Sequence, residues 1–331
     1  MNRFKVFIFS LFLISLMSCN DITTISGQAS TGGINEILVV TNKPQQWKGE
    51  VGDSIRACFT RDMKLLPIPE PQFKLVNIHE TAIGKDIFKK HHNIFIVNID
   101  PKLKKAFVES KKNLWAKPQI VIKVNAPSLK EFLKSFEKIK ENAFDLYVEN
   151  ERNRISVSYS SKFKNIKLSQ QLIKYFHMDM NIPKGYSMAR IDSTKCWIRK
   201  ETAANSMDIL VTAQDYHSTK DFTPLAIKKR RNNLTRLFIP GPTPGSYQLV
   251  ADQYLEPISK EISFNDLYAV ETRGLWRVEN DFMGGPFISY TFVDEKRNKL
   301  ITLDGFIYAP KQKKAPLMRE IEAILWSVKL Q

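Results

Sequence analysis

Asn93-Ile94-Phe95-Ile96-Val97 runs apolar from Ile94 onward without alternation, which is the pattern of a strand buried on both faces of a sheet. Other stretches in the first half fit around it. Asn35-Glu36-Ile37-Leu38-Val39-Val40 reads as a short apolar strand opening the globular part. Phe73 to Ile78 and Gln119-Ile120-Val121-Ile122-Lys123-Val124 read as two more strands. Gly49 to Arg61 sets Val51, Ile55, Cys58 and Phe59 at helix spacing. Ser128 and Glu131 form a capping box directly after Pro127. Beyond it Leu129, Phe132, Phe136, Ile139, Ala143, Phe144 and Tyr147 keep to one helical face. Strands alternating with helices from 36 to 147 predict an α/β domain with a mainly parallel or mixed sheet. Weakly periodic polar sequence continues to about Met180 and reads as more helix.

The composition changes at Ile182-Pro183-Lys184-Gly185-Tyr186. Strand-like runs follow at 186–191, 195–200 and 207–213, then a basic helix at Pro224 to Leu237 and a Pro/Gly loop from Ile239 to Gly245. Further runs at 247–251, 258–264, 267–278, 286–293 and 299–308 have the close spacing of an antiparallel meander. The chain ends in an amphipathic helix with Pro316 in its first turn and Leu317, Ile321, Ile324, Leu325 and Val328 on one side. The second half therefore reads as an α+β fold, an antiparallel sheet closed by a terminal helix. The boundaries expected are 34–182 for the N-terminal α/β domain and 183–331 for the C-terminal α+β domain.

The first eighteen residues read as an export signal. Arg3 and Lys5 precede an apolar core of about twelve residues, well short of the ~20 needed to span a bilayer. The core closes on Leu16-Met17-Ser18-Cys19, and cysteine directly after a small residue predicts a lipoprotein whose Cys19 thiol is acylated. Residues 19–33 then read as a flexible tether, since Asn20 to Gly33 is rich in Ser, Thr and Gly and has no hydrophobic period. Attachment to a membrane through this N-terminal lipid is the expectation. So is a place in the cell envelope, at the outer membrane and facing the periplasm, because Asp21 is the only acid close behind Cys19.

The composition is 43% hydrophobic and 25% charged, as in a soluble globular protein. The formal charge of +16 includes Arg3 and Lys5 and leaves +14 on the mature side chains. An exported basic protein meets anionic headgroups and acidic glycans, so no nucleic-acid partner is expected. An anionic envelope component or an envelope protein is the candidate partner. Once Cys19 is committed to lipid, Cys58 and Cys196 remain. They have the option of pairing, although Cys58 falls on a helical face where cysteine acts as a small buried hydrophobe.

Phosphate loops, dinucleotide fingerprints, nucleophile elbows and zinc-helix motifs are missing from the sequence, as are paired cysteines at zinc spacing. No metal, cofactor or catalytic residue is expected on this ground. His91-His92 is the one adjacent histidine pair and reads as a solvated turn ahead of a strand. Lys228-Lys229-Arg230-Arg231 falls on a helix whose buried stripe would be Ile227, Leu234 and Leu237. The run is a candidate contact for an anionic surface, or else a solvated helix face. The candidate groove lies further on, where glycines neighbour large aromatics: Arg273, Trp276, Gly284, Gly285 and Phe287. Hairpin-turn glycines would explain the same letters.

Several phrases resemble a lipoprotein family of Bacteroidota known only as a domain of unknown function, DUF4837-like. They are Asn35 to Val40, Leu66-Pro67-Ile68-Pro69-Glu70-Pro71-Gln72-Phe73, Ile182 to Tyr186, Phe238-Ile239-Pro240-Gly241-Pro242, Arg273-Gly274-Leu275-Trp276, Met283-Gly284-Gly285-Pro286-Phe287 and Gly305-Phe306-Ile307-Tyr308-Ala309-Pro310. The resemblance implies lipoprotein status and an envelope address, and it brings no activity or catalytic residue. The expectation is a non-enzymatic binding or scaffolding module. The rival is an enzyme acting on cell-wall or envelope polymers through carboxylates such as Glu271 and Asp281.

Overall fold

A computed structural model describes residues 27–331, so Cys19 and most of the expected tether lie outside the described residues. The first domain follows the apolar runs. Strand β1 (Glu36–Thr41) leads through the short α1 (Pro44–Lys48) into α2 (Glu50–Phe59), β2 (Lys74–His79), the single turn α3 (Asp86–Lys89) and β3 (Asn93–Ile99). Then come β4 (Phe107–Lys112), β5 (Ile120–Ala126) and the 31-residue α4 (Leu129–Tyr159). The sheet order is β2-β1-β3-β5-β4. All pairs are parallel except β4 with β5. Central β3 is covered on both faces, Phe95 and Val97 by the α2/α4 core and Ile94 by the opposite apolar layer. That is why its sequence does not alternate. Ser128 caps α4 by accepting from the Glu131 N–H at 3.3 Å.

The second domain begins earlier than the composition change indicated. Helix α5 (Ile166–Phe176) and strand β6 (Met178–Asp179) follow α4. Their residues Leu168, Leu172, Phe176 and Met178 belong to the core of the second sheet. Residues 166–182 thus pack with the C-terminal half, and the expected break at 182 moves back to the end of α4. The physical reason is the apolar stripe of α5, which the polar surroundings in sequence conceal.

Strands β7 (Ser187–Ile191), β8 (Lys195–Glu201) and β9 (Ser206–Asp215) come next, followed by α6 (Pro224–Phe238) and β10 (Gln248–Val250). They are followed by β11 (Ile258–Phe264), β12 (Leu267–Val278), β13 (Gly284–Asp294), β14 (Lys299–Tyr308), α7 (Ala315–Trp326) and β15 (Lys329–Leu330). The large sheet runs β10-β12-β13-β14-β9-β8-β7, with β11 also on β12, and every pair is antiparallel. Alternation along the strands divides its faces. Ile301, Leu303 and Ile307 of β14 pack in the core that includes α5 and α7. Leu300 and Phe306 turn the other way, into the cores that include Ile227 and Phe238 of α6. The expected antiparallel sheet closed by a terminal helix is present, with α6 covering its reverse face.

Side chains tie the domains together. The Glu70 carboxylate, from the Leu66–Phe73 loop, accepts from the Lys314 and Ala315 N–H groups at 2.8–2.9 Å, where the N-terminal end of α7 favours negative charge. Arg319 of α7 is 2% exposed. It donates to Asn35 Oδ1 at 3.0 Å, Gln72 Oε1 at 2.7 Å and Glu322 Oε2 at 2.6 Å.

Candidate functional site

The glycine-aromatic stretch is a packing device, and its members do not form a single groove. Arg273 and Trp276 are three residues apart on β12, so they project from opposite faces of the sheet. Arg273 turns toward α7, with Nε 2.8 Å from Glu271 Oε1 and Nη2 2.8 Å from Glu322 Oε1. Trp276 is 3% exposed on the α6 side, and its indole N–H donates to the Ile307 carbonyl at 3.2 Å. The glycines make this packing possible. A Cβ on Gly285 would sit 2.2 Å from the Ile307 oxygen and 3.1 Å from Trp276 Nε1. One on Gly274 would meet the Phe287 ring at 2.4 Å, and one on Gly284 would meet the Trp276 carbonyl at 2.8 Å. The expected groove of Arg273, Trp276, Gly284, Gly285 and Phe287 is therefore replaced by tight sheet packing.

The basic run on α6 also departs from a uniform anionic-surface contact. Lys228 pairs with Asp252 at 2.8 Å, Arg230 Nη1 donates to the Asp221 carbonyl at 2.8 Å, and Lys229 is exposed. Arg231 is buried, 5% exposed. Helical periodicity turns it, with Ile227 and Thr235, toward the sheet. The expected stripe partner Leu237 instead is 72% exposed.

Beneath α6 lies a cavity of about 270 Å³. Its lining includes Ile227, Arg230, Arg231, Leu234 and Leu237 of the helix, Ser289 of β13, and Thr302 and Asp304 of β14. Thr194, Lys195 and Thr212 complete its β8–β9 side. Arg231 is rigidly held there. Its Nε donates to Asp304 Oδ2 at 2.8 Å, its Nη2 reaches Gln248 Oε1 at 3.2 Å, and its guanidinium lies 3.9 Å from the Phe287 ring centre. Burial pushes the Asp304 carboxyl up, against the pull of Arg231. Three buried polar atoms on this lining have no hydrogen-bond partner among the described residues: Arg231 Nη1, Arg230 Nη2 and Ser289 Oγ. A buried polar group left unpaired costs about 1–3 kcal/mol, so their convergence on one cavity is informative. The same face carries Asp208, which accepts from Trp197 Nε1 at 2.8 Å. Burial pushes its carboxyl up to about 6, with Trp197 and Arg199 opposing.

The other clefts carry at most one such atom, Trp326 Nε1, whose residue lines the interdomain cleft and two others. One of about 600 Å³ between residues 27–29 and α4 has no lining side chain with a buried unpaired polar atom. The interdomain cleft, about 550 Å³, holds Arg152 over the Trp326 ring at 3.8 Å beside the Arg273–Glu271–Glu322 cluster. Despite burial, Arg319, Arg273 and Arg152 hold the Glu322 carboxyl at about 2. Asp281 is not there. It sits in the β12–β13 turn, accepting from the Met283 N–H at 3.0 Å. From Glu271 to the end of β12 is already roughly 23 Å of strand at ~3.3 Å per residue.

The histidine pair is also placed differently from expectation. His91 and His92 are 6% and 0% exposed, with rings stacked at 4.7 Å. His91 Nε2 meets Glu36 at 3.1 Å, and His92 Nε2 meets Glu151 at 2.6 Å. The segment passing over them explains the burial: Gly32 adopts φ +111°, and a Cβ there would strike both rings at 2.7 Å. Among the described residues no group of three His, Cys, Asp or Glu side chains is placed to hold a metal. Cys58 and Cys196 are buried and unpaired with each other. No helix among the described residues is long and apolar enough to cross a membrane.

No curated protein matches the sequence significantly. Among solved structures, similar chains include a point mutant of Mog1 (10% identity, 46% of this chain and 90% of that one, TM-score 0.30). Another is the Ran-binding protein Mog1p of Saccharomyces cerevisiae (9%, 46% and 90%, TM-score 0.31). A third is LpqN of Mycobacterium tuberculosis, described as involved in cell envelope biogenesis (11%, 46% and 82%, TM-score 0.28). Likeness at this level carries no argument about what the chain binds. The family models are more direct, and their edges fall at the end of α4, where the packing divides the domains. Residues 30–160 match the domain of unknown function DUF8532. Residues 165–327 match the family model DUF4837, also a domain of unknown function.

Proposed function

We propose that this protein is a non-enzymatic binding module of the cell envelope, tethered by lipid on Cys19, with its ligand seat in the cavity beneath α6. The observation that carries the reading is the set of three unpartnered buried polar atoms on the cavity wall. The acid among the lining residues, Asp304, is already engaged by Arg231 through both oxygens, at 2.8 and 3.3 Å. A general acid or base must reach a proton of its substrate, and a carboxylate clamped on a guanidinium is poorly placed to do so. Donors that are fixed and unspent hold a molecule in place. The enzymatic rival loses its proposed pair, because Glu271 and Asp281 do not converge. Glu271 does share Arg273 with Glu322, but a carboxyl held at about 2 lacks the raised pKa of a glycosidase proton donor.

Native mass spectrometry of protein purified from its own membrane tests the binding reading. A small molecule should be retained by the wild type and lost from Thr212→Phe, which fills the cavity from the sheet. Absence of any retained mass in the wild type would contradict it. The tether has a separate test. Labelling with a palmitate analogue should mark the wild type and miss Cys19→Ala, and equal labelling would end the lipoprotein reading. For an outer-membrane protein facing the periplasm, protease added to intact cells should leave the chain whole.

A further inference from the structure

We infer that the seat beneath α6 takes a small amphiphile with one oxyanion head, a carboxylate or a phosphate monoester, and a short apolar tail. The inference rests on the binding reading above and adds the chemistry of the occupant. Arg231 Nη1 and Arg230 Nη2 are guanidinium nitrogens, which donate and never accept. An occupant that satisfies them must bring acceptor oxygens, and the Ser289 hydroxyl can add a third donor to the same head. Lys195 is paired with Asp192 at 2.7 Å, and Arg230 and Arg231 against Asp304 leave one positive charge in excess on the lining, which favours an anion and repels a cation.

The donors are fixed before any ligand arrives. Asp304, Gln248 and the Phe287 ring hold Arg231, and the Asp221 carbonyl holds Arg230. Donors fixed in advance cost a ligand little ordering on binding. The other wall is apolar. Ile227 and Leu234 line it, and Leu237 continues it outward with 72% of its surface exposed. A tail leaving the head can therefore run along α6 toward solvent. A volume of about 270 Å³ is that of roughly nine waters at ~30 Å³ each, enough for an anionic head and several carbons. It is too small for a glycan chain or a whole phospholipid.

Calorimetric titration of the intact folded protein with octanoate, octyl phosphate, octanol and octylammonium, each below its aggregation concentration, tests this. Both anions should bind. Octanol should bind at least about tenfold more weakly, since hydrogen bonds to a charged group are worth ~1.5–3 kcal/mol each. Octylammonium should give no binding heat. Ser289→Ala and Arg230→Gln should each weaken the anions by roughly tenfold, and Thr212→Phe should abolish their binding. The tighter of the two anions identifies the head as carboxylate or phosphate, and either result supports the inference. Octanol binding as tightly as octanoate would overturn it. So would anion binding undiminished in Ser289→Ala and Thr212→Phe, or no binding of either anion, which would mean that the cavity holds water only. In that last case a mass still retained from the native membrane would leave the binding reading standing and remove only this ligand class.

Discussion

The protein buries two polar clusters, one in each domain, and they are finished differently. In the first domain three of the four ring nitrogens of His91 and His92 have hydrogen-bond partners, at Asn93, Glu36 and Thr31 O, and His92 Nε2 lies 2.6 Å from Glu151. The Glu151 carboxylate also accepts from the Asn35 N–H at 3.1 Å and Arg154 Nη2 at 2.8 Å. Asn150 closes the group by donating to the His92 carbonyl and Asn93 Oδ1. Asn35 Nδ2, His92 Nε2 and Arg154 Nε of this cluster lack hydrogen-bond partners among the described residues, and none of these residues lines a cleft described above. In the second domain Arg231 and Asp304 are as deeply buried, and Arg231 Nη1, Arg230 Nη2 and Ser289 Oγ, also without partners, belong to residues that line a cavity. Burial of polarity alone therefore does not mark a site in this molecule. A cluster sealed within packing holds the fold together, and a cluster whose unpartnered groups sit beside a cavity is equipped for a ligand.

The sharpest way to break this contrast is to remove one partner from each cluster. His92→Leu leaves Glu151 as a buried carboxylate supported mainly by Arg154, and should cost about 3–5 kcal/mol, read by urea denaturation. Wild-type stability should show the same dependence on pH. Burial alone would raise the Glu151 carboxyl, but His92 and Arg154 hold it at about 2 against an ordinary 4.5. Its contribution is complete above the unfolded value and is lost as pH falls from about 4.5 through about 2. At ~1.36 kcal/mol per unit it amounts to roughly 3 kcal/mol.

Asp208, on the cavity's face of the second sheet, should behave with the opposite sign. Its folded carboxyl sits at about 6 against 3.8, so the fold favours the protonated form. That stability is complete below pH ~3.8 and is lost as pH rises through about 6. Asp208→Asn should therefore stabilise the protein at pH 8 by up to about 3 kcal/mol and do little at pH 4, measured as melting temperature at both values. The smallest expected effect is the most diagnostic. Ser289→Ala removes a buried hydroxyl that has no partner, so stability without ligand should fall by no more than ~0.5 kcal/mol. A loss as large as that of His92→Leu would place Ser289 among the structural groups.

The fold was legible in the sequence to the extent that one element explains its own pattern. The unbroken apolar run of β3, the Ser128 cap of α4, Pro316 in the first turn of α7 and the five late strand-like runs all reappear within a few residues of their expected places. Strand β4 (Phe107–Lys112) was missed because it is an edge strand of largely exposed polar residues. The histidine pair was misread because its burial is imposed by residues 31–32, which cross it from about sixty positions away. Distance in sequence hid the cavity too. Arg231 meets Asp304 across 73 residues, and Ser289 joins them only through the β13–β14 register that sets it opposite Asp304. The one local clue was the helical spacing of Ile227, Arg231 and Thr235, which puts a single arginine of the basic run on the buried face.

A structure of the protein soaked with octyl phosphate and with octanoate tests the central claim most directly. The account predicts an anionic head within hydrogen-bond distance of Arg231 Nη1 and Ser289 Oγ, with its tail lying along Leu234 toward Leu237. A cavity holding only water at saturating ligand, or a head bound elsewhere on the chain, would contradict it.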